Sequence, residues 1–201
     1  MNKRKSIAVA IVLLLVLMIG GMLAYFTDTD TKTNTITLGD NIDIAVTETW
    51  TPADGLNLHP GAEVTKAPKI QNESTTTPAY VFAEIIVPCY ATTGTTVDAP
   101  LFTYTVNSGW TLINTPTVNT TDKTITYVYA YGTSSAMTSL AANTSTTNAV
   151  FDTVTLVPTL TQAQKATASS TPNIIVNGYG IQTDNMTGKT PAEIFALFGS
   201  N

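Results

Sequence analysis

Reactive side chains are scarce in this chain of 201 residues, which contains one cysteine and one histidine. Cys89 has no partner for an intrachain disulfide, so stability must come from packing, assembly or bound ions. We interpret Cys89 as a small apolar filler, with an intermolecular bridge as the alternative. The single histidine, His59, cannot complete a catalytic triad or the ligand set of a zinc peptidase, and we expect a solvated loop residue. The sequence therefore predicts no catalytic residue, no cofactor and no metal site.

Positive charge is also scarce. Beyond residue 24 the chain keeps all 14 acidic residues but only six lysines and no arginine. Such a surface repels nucleic acid, which excludes that class of partner. Threonine is the commonest residue, and charged residues make up only 11% of the chain. Threonine is β-branched, so it favours strands while its hydroxyl keeps an exposed sheet face soluble.

An export signal is predicted over residues 1–24. Lys3, Arg4 and Lys5 form a positive start, and residues 6–24 contain no charge. Gly20-Gly21 breaks the apolar helix, and Ala24 is a small residue suited to cleavage before Tyr25. The apolar stretch is barely long enough to span a bilayer, so a retained membrane anchor is the alternative. Contact with a membrane is expected only through this segment.

The residues after the cleavage point form a polar, extended arm. Asp28 and Asp30 stand at the first positions of a calcium loop, but Lys32 occupies the place of a third oxygen ligand. We therefore interpret the segment as a solvated or strand-pairing arm. It consists of Tyr25, Phe26, Thr27, Asp28, Thr29, Asp30, Thr31, Lys32, Thr33 and Asn34.

Apolar alternation with a period of two predicts strands along the rest of the chain. Glu84 stands within the most apolar of these segments, which we expect to be a central strand with Glu84 at an exposed position. Predicted strands cover residues 36–46 (interrupted at Gly39), 64–72, 79–87, 102–106, 110–113, 124–131, 151–157 and 174–182.

Several local features are predicted within this pattern. Asn107-Ser-Gly109 indicates a hairpin between two strands, and Gly178 and Gly180 indicate a bulge in the last strand. The tyrosine row in 124–131 favours cross-strand packing, with a sugar-stacking platform as the alternative. Short helices are predicted over 161–168 and over 191–198, the second capping one edge of the sheets. The fold class is a single all-β domain over residues 25–201, an antiparallel β-sandwich of jelly-roll type with a short C-terminal helix, preceded by the N-terminal hydrophobic signal helix.

Parts of the sequence resemble the TasA/camelysin family. The resemblance begins at Ala24-Tyr-Phe-Thr-Asp28 and Asn34-Thr-Ile-Thr-Leu-Gly39. It continues in Ala79-Tyr-Val-Phe82 and in Gly178-Tyr-Gly-Ile-Gln182. A further family segment is matched by Pro60, Gly61, Lys66, Pro68 and Asn72.

The resemblance implies an exported protein of a Gram-positive bacterium, processed by a SipW-type signal peptidase. Several family members are subunits of biofilm-matrix fibres, which assemble by donor-strand exchange. We therefore predict a secreted structural subunit of matrix or surface fibres, in which the arm 25–34 is donated head to tail to the next copy, with other matrix proteins as further partners. One alternative is a monomeric cell-surface binding or anchoring module, and a less favoured one is a camelysin-like metalloprotease.

Overall fold

The structure is a computed structural model that describes residues 41–170 and 172–199. Antiparallel strands dominate this part of the chain. The predicted signal segment 1–24, the arm 25–34 and the first residues of the predicted strand 36–46 lie outside the described residues. The strands are β1 (Ile44–Thr49), β2 (Glu63–Thr65), β3 (Ala67–Asn72), β4 (Ala79–Tyr90), β5 (Ala99–Pro100), β6 (Phe102–Thr103), β7 (Trp110–Leu112), β8 (Thr117–Asn119), β9 (Thr124–Tyr131), β10 (Thr144–Ser145), β11 (Thr153–Leu156) and β12 (Ile175–Gln182).

One layer of the sandwich is built from two short sheets that follow each other. Their strand orders are β1-β3-β10 and β2-β11-β6. The backbone bonds from Thr146 N to Ile70 O (2.9 Å) and from Val150 N to Pro68 O (2.8 Å) join the two sheets between their ladders. The strand 64–72 that the sequence predicts is therefore present, with a break in its ladder at Lys66.

The second layer is centred on β4, the longest strand. It is a six-stranded sheet of order β12-β4-β9-β7, with β8 also on β9 and β5 also on β4. Val81, Ala83, Ile85 and Val87 point into the main core between the layers, whereas Phe82 points to the opposite face. Both faces of β4 are covered, as its apolar sequence predicts.

The helices are short. The 3-10 turn Pro52–Gly55 follows β1, and helix α1 (Gln162–Lys165) lies between β11 and β12. Helix α2 (Pro191–Phe195) begins with a capping box made by Thr190 and Glu193 and continues as a 3-10 turn over Ala196–Gly199. Phe195 and Phe198 contact Phe82, with ring centroids 5.3 and 5.9 Å apart. The C-terminal helix therefore covers the outer face of the second layer, and the prediction that it caps an edge is wrong.

The all-β sandwich with a short C-terminal helix is confirmed. Two further local predictions, those of a hairpin and of a bulge, are wrong. Segments 102–106 and 110–113 do not pair with each other, because β6 pairs with β11 and β7 with β9. The expected bulge in the last strand is absent from the described ladder, since β12 pairs with β4 without interruption from Ile175↔Ile86 to Gln182↔Ala79. The glycines of β12 instead allow β1 of the first layer to approach β12 closely.

Candidate functional site

The candidate site is the side of the sandwich where β1 is the edge strand of the first layer and β12 is the edge strand of the second. β12 pairs with β4 along all eight of its residues, and β1 pairs with β3 along all six of its own. Among the described residues, no strand pairs with the other edge of either one. In an antiparallel strand, alternate residues direct their N–H and C=O groups to each edge. We call this side the β1/β12 edge.

Two glycines bring β1 down onto β12. A Cβ atom on Gly178 would lie 3.0 Å from Val46 Cγ2, and a Cβ atom on Gly180 would overlap Ile44 Cγ1. Only a residue without a side chain allows this approach. β1 therefore lies directly over β12, and the free edges of the two layers face the same side of the molecule.

Apolar side chains are exposed along this edge. Val46 on β1 is 36% exposed, Trp50 just after β1 is 38% exposed, and Ile175 on β12 is 48% exposed. The edge ends at a cleft of about 420 Å³, whose apolar walls include Trp50, Leu56 and Ile174. A side that combines unpaired strand edges with exposed apolar residues is suited to accept a further strand.

A buried lysine fixes the end of β1 beside this cleft. Lys66 Nζ lies 2.6 Å from Glu48 Oε2 and 5.3 Å from the centre of the Trp50 ring. Lys66 is only 8% exposed, so its ammonium group depends on these partners. The lysine of the family segment therefore holds the end of β1 and positions Trp50 at the cleft.

The opposite edge of the second layer is interrupted. β7 and β8 both pair with β9, but residues 114–116 between them leave the ladder, after a last bond from Ile113 N to Val128 O (2.9 Å). The Asn114 side chain replaces a strand there, since its Oδ1 accepts from Val128 N at 2.8 Å. Pro116 follows, and proline cannot donate to a ladder. Short, interrupted edges of this kind prevent sheet-to-sheet pairing, and the β1/β12 edge has no such device among its described residues.

The remaining family-segment residues have structural positions. Gly61 has a φ of +85° and donates from its N to Leu156 O at 2.8 Å. Asn72 is fully buried and donates from Nδ2 to Thr77 O (3.0 Å) and Leu140 O (3.1 Å), while its Oδ1 accepts from Ser74 N. Together with Lys66 and Pro68, Asn72 lies on the buried face of the consecutive segments β2 and β3. This segment organises the first layer and places no reactive group on the surface.

The residues singled out for possible chemistry do not come together. Glu84 is half-buried and accepts hydrogen bonds from Asn177 Nδ2 (2.8 Å) and Tyr179 OH (3.2 Å), which join β4 to β12. Cys89 is free and buried, and its pKa is raised first by burial and then by nearby Asp98, against a lowering effect of Lys123. His59 lies in an exposed loop.

The described residues do not fit a metal centre. They contain no group of three histidine, cysteine, aspartate or glutamate side chains that could hold a metal ion. His59, the only histidine of the chain, therefore belongs to no such group within residues 41–170 and 172–199.

The predicted cleavage point Ala24/Tyr25 and the arm 25–34 lie outside the described residues. Within the described part of the chain, no helix is long and apolar enough to cross a membrane. The sequence analysis missed the β1/β12 edge itself. The isolated Trp50 at the end of a strand and the glycine pair Gly178/Gly180 were the available signals, but they identify an edge only once the strand order is known.

Comparison with known proteins gives a family for the N-terminal part. Residues 1–85 match the model of the camelysin metallo-endopeptidase family. A search of curated proteins gave no match to the chain. The matched range contains β1, β2, β3, the first residues of β4 and the family segment around Lys66 and Asn72. The match confirms the part of the resemblance noted above that lies within residues 1–85.

Proposed function

We propose that this protein is an exported structural subunit of matrix or surface fibres, in which the arm 25–34 of one copy pairs with the β1/β12 edge of the next. The observation that supports the proposal best is the eight-residue edge of β12, which is free among the described residues while the opposite edge is interrupted. Addition of a strand to such an edge gives affinity through main-chain hydrogen bonds and specificity through side-chain pockets.

The sequence of the arm suits an added strand. Thr27, Thr29, Thr31 and Thr33 alternate with other residues, so four β-branched side chains share one face of an extended arm. Ten extended residues reach about 33 Å, enough to cover the roughly 26 Å of an eight-residue strand. Insertion of one copy's arm into the next copy is head to tail, so it propagates into a filament unless the ring closes.

The first experiment removes the donor. Protein that begins at Tyr25 should form fibres in negatively stained micrographs at increasing concentration, and protein that begins at Thr35 should remain a folded monomer. The circular dichroism of the shortened protein should keep its β-sheet signal. Fibres of unchanged yield from the shortened protein would exclude the arm as the donor, and a monomer from both forms would favour a surface binding module.

The second experiment blocks the acceptor. Ile175→Lys places a charge on the free edge of β12, and edge lysines oppose strand pairing. Val118→Lys is the matched control, because Val118 is 40% exposed on β8 at the interrupted edge. We expect Ile175→Lys to abolish or strongly reduce fibres and Val118→Lys to leave them unchanged. Equal effects of the two substitutions would contradict the β1/β12 edge as the acceptor.

Export is part of the proposal. Protein recovered from culture supernatant should begin at Tyr25 on N-terminal sequencing, because Ala24 ends the predicted signal. An intact Met1 start confined to the membrane fraction would favour the anchored alternative.

The description of the matched family makes a metallo-endopeptidase the second candidate. That activity requires a metal held by several nitrogen or oxygen ligands, which the described residues do not bring together. Purified protein that cleaves casein, and loses this activity both with EDTA and on His59→Ala, would establish the peptidase function. We expect no such cleavage.

A further inference from the structure

A second cleft lies beside helix α1 and adjoins the first cleft, with which it shares Gly55, Leu58, Phe102 and Pro172. Its volume is about 750 Å³, within the range of about 300–1,000 Å³ typical of small-molecule sites. The loop that contains Asn57 and Leu58 forms one wall, and residues 160–170 around α1 form the other. We call it the α1 cleft.

The floor of the α1 cleft is aliphatic. Leu101, Phe102 and Leu156 are buried core residues that reach its base, and the half-buried Leu58 and Leu160 complete it. A peptide or a sugar would bring backbone amides or hydroxyls onto this floor, where no side chain of these five residues can hydrogen-bond them. An alkyl chain has no such groups. The floor therefore favours a hydrocarbon chain over a peptide or a sugar.

The rim of the cleft is polar and has one cation. Thr161, Gln162 and Lys165 line it, and no carboxylate does among the described residues. The only ion pair in the described part of the chain joins Lys66 and Glu48, so Lys165 has no anionic partner there. The chain as a whole has 14 acidic residues against nine basic ones. A cleft that has a lysine at its rim and no carboxylate in its lining therefore differs in charge from the chain as a whole. This charge favours an anionic head group over a neutral or cationic one.

We propose that the α1 cleft binds a free single-chain aliphatic carboxylate, with the hydrocarbon chain over Leu58, Leu156 and Leu160 and the carboxylate at Lys165. No residue of β1 or β12 lines this site, so its ligand would not contact the strands proposed to accept the arm.

The test uses the full chain and a diazirine-bearing aliphatic carboxylate as a photoaffinity probe, with labelled peptides identified by mass spectrometry. We expect labelling within residues 156–170, displaced by sodium octanoate. Displacement by hexanoate should need about tenfold more ligand, because each buried methylene changes affinity by about fourfold at most. Labelling confined to other parts of the chain, or displacement independent of chain length, would overturn the proposal.

Charge variants test the head group. Lys165→Gln should weaken displacement by octanoate about two- to fivefold, the effect expected of an exposed ion pair, and Lys165→Glu should weaken it further. Lys189→Gln is the matched control, since Lys189 is an exposed lysine outside the cleft. Heptyl glucoside, which has the same alkyl group as octanoate and a neutral head, should bind more weakly and be insensitive to Lys165→Gln. Equal displacement from all variants, or labelling that requires anionic phospholipid vesicles, would contradict a site for the free carboxylate.

Discussion

At the scale of the residue, the family segment has a structural explanation in its buried polar groups. Lys66 and Asn72 are both buried, and each has partners that few other side chains could satisfy. A lysine in this position needs an anion and an aromatic face. The amide of Asn72 joins two backbone groups of the loop 73–78 to the backbone of Leu140. Substitutions here should therefore act through folding.

Replacement of Asn72 tests this directly. Asn72→Leu leaves Thr77 O and Ser74 N without their present partner, and each unsatisfied buried group costs about 1–3 kcal/mol. It also removes one of the two hydrogen bonds to Leu140 O, which still accepts from Ala79 N. We expect the free energy of unfolding to fall by about 3 kcal/mol or more in urea denaturation. Asn173→Leu is the control, because Asn173 is exposed, and it should change stability by less than about 0.5 kcal/mol. An unchanged midpoint for Asn72→Leu would show that these bonds add no stability.

The tyrosines of β9 make stability dependent on alkaline pH. The hydroxyl oxygens of Tyr104 and Tyr129 lie 3.1 Å apart and share a hydrogen bond. The pKa of Tyr104 is raised first by burial and then by this hydrogen bond. Burial also raises the pKa of Tyr127 and of Tyr129. In the unfolded chain these phenols titrate near about pH 10. Because the folded pKa values are higher, their contribution is complete below about pH 10 and is lost as the pH rises further.

We therefore expect unfolding free energies that stay level from pH 7 to 9 and decrease steeply above about pH 10. The variant Tyr104→Phe removes the most strongly shifted group, so its stability should decrease less steeply over the same interval. Denaturation curves at half-unit steps of pH would measure both slopes. Identical slopes in the two proteins would mean that Tyr104 ionises as readily in the folded state as in the unfolded one.

At the scale of the element, the approach of β1 to β12 depends on the glycines of the last strand. Gly180→Ala would place a Cβ on Ile44, so either the side chain of Ile44 or β1 itself must move. Overpacking of this kind costs about 1–3 kcal/mol. Gly199→Ala is the control, since no atom lies within 4 Å of the added Cβ there.

A double substitution separates overpacking from other effects of the alanine. If the cost arises from Ile44, then Gly180→Ala combined with Ile44→Ala should be less destabilised than the sum of the two single variants. Thermal unfolding of the four proteins would give this difference. Strict additivity would show that the glycine is needed for a reason other than contact with Ile44.

The sequence predicted most strands of the second layer well, because their signals are local. The alternation in 124–131 matches β9 to the residue, and 174–182 differs from β12 only in its first residue. Pairing was harder to predict. β6 and β7 follow each other closely in sequence, but β6 pairs with β11, more than forty residues away, and no local pattern contains that choice.

The same limit explains why the glycines predicted a bulge and why the candidate site could not be predicted from the sequence. Gly178 and Gly180 indicated a bulge because glycine in a strand commonly marks one. Their actual reason is another strand lying above them, which the sequence of β12 alone cannot show. The β1/β12 edge is likewise defined by which strands pair and which do not.

At the scale of the whole molecule, low and unbalanced charge controls how copies approach each other. The whole chain has a net charge of −5 at pH 7 and an isoelectric point near 4.6, whereas the chain that begins at Tyr25 has six lysines against 14 acidic residues, a net charge of −8. Copies that add strands to one another come within about 5 Å, closer than the Debye length of about 10 Å at 0.1 M salt. Repulsion between subunits is therefore only partly screened at moderate ionic strength.

If the protein is a fibre subunit, its assembly should accelerate as this repulsion decreases. We expect the lag before fibre growth, followed by light scattering and checked by electron micrographs, to shorten as the pH falls from 7 toward the isoelectric point of the chain that begins at Tyr25, and as sodium chloride is raised at pH 7. Ile175→Lys serves as the control, because it lowers the net negative charge by one while blocking the proposed acceptor edge. If strand pairing governs assembly, this variant should form fewer fibres despite its weaker repulsion. Faster assembly of Ile175→Lys than of the unmodified protein, or amorphous precipitate in place of fibres at low pH, would show that net charge alone drives association and that the β1/β12 edge has no part in it.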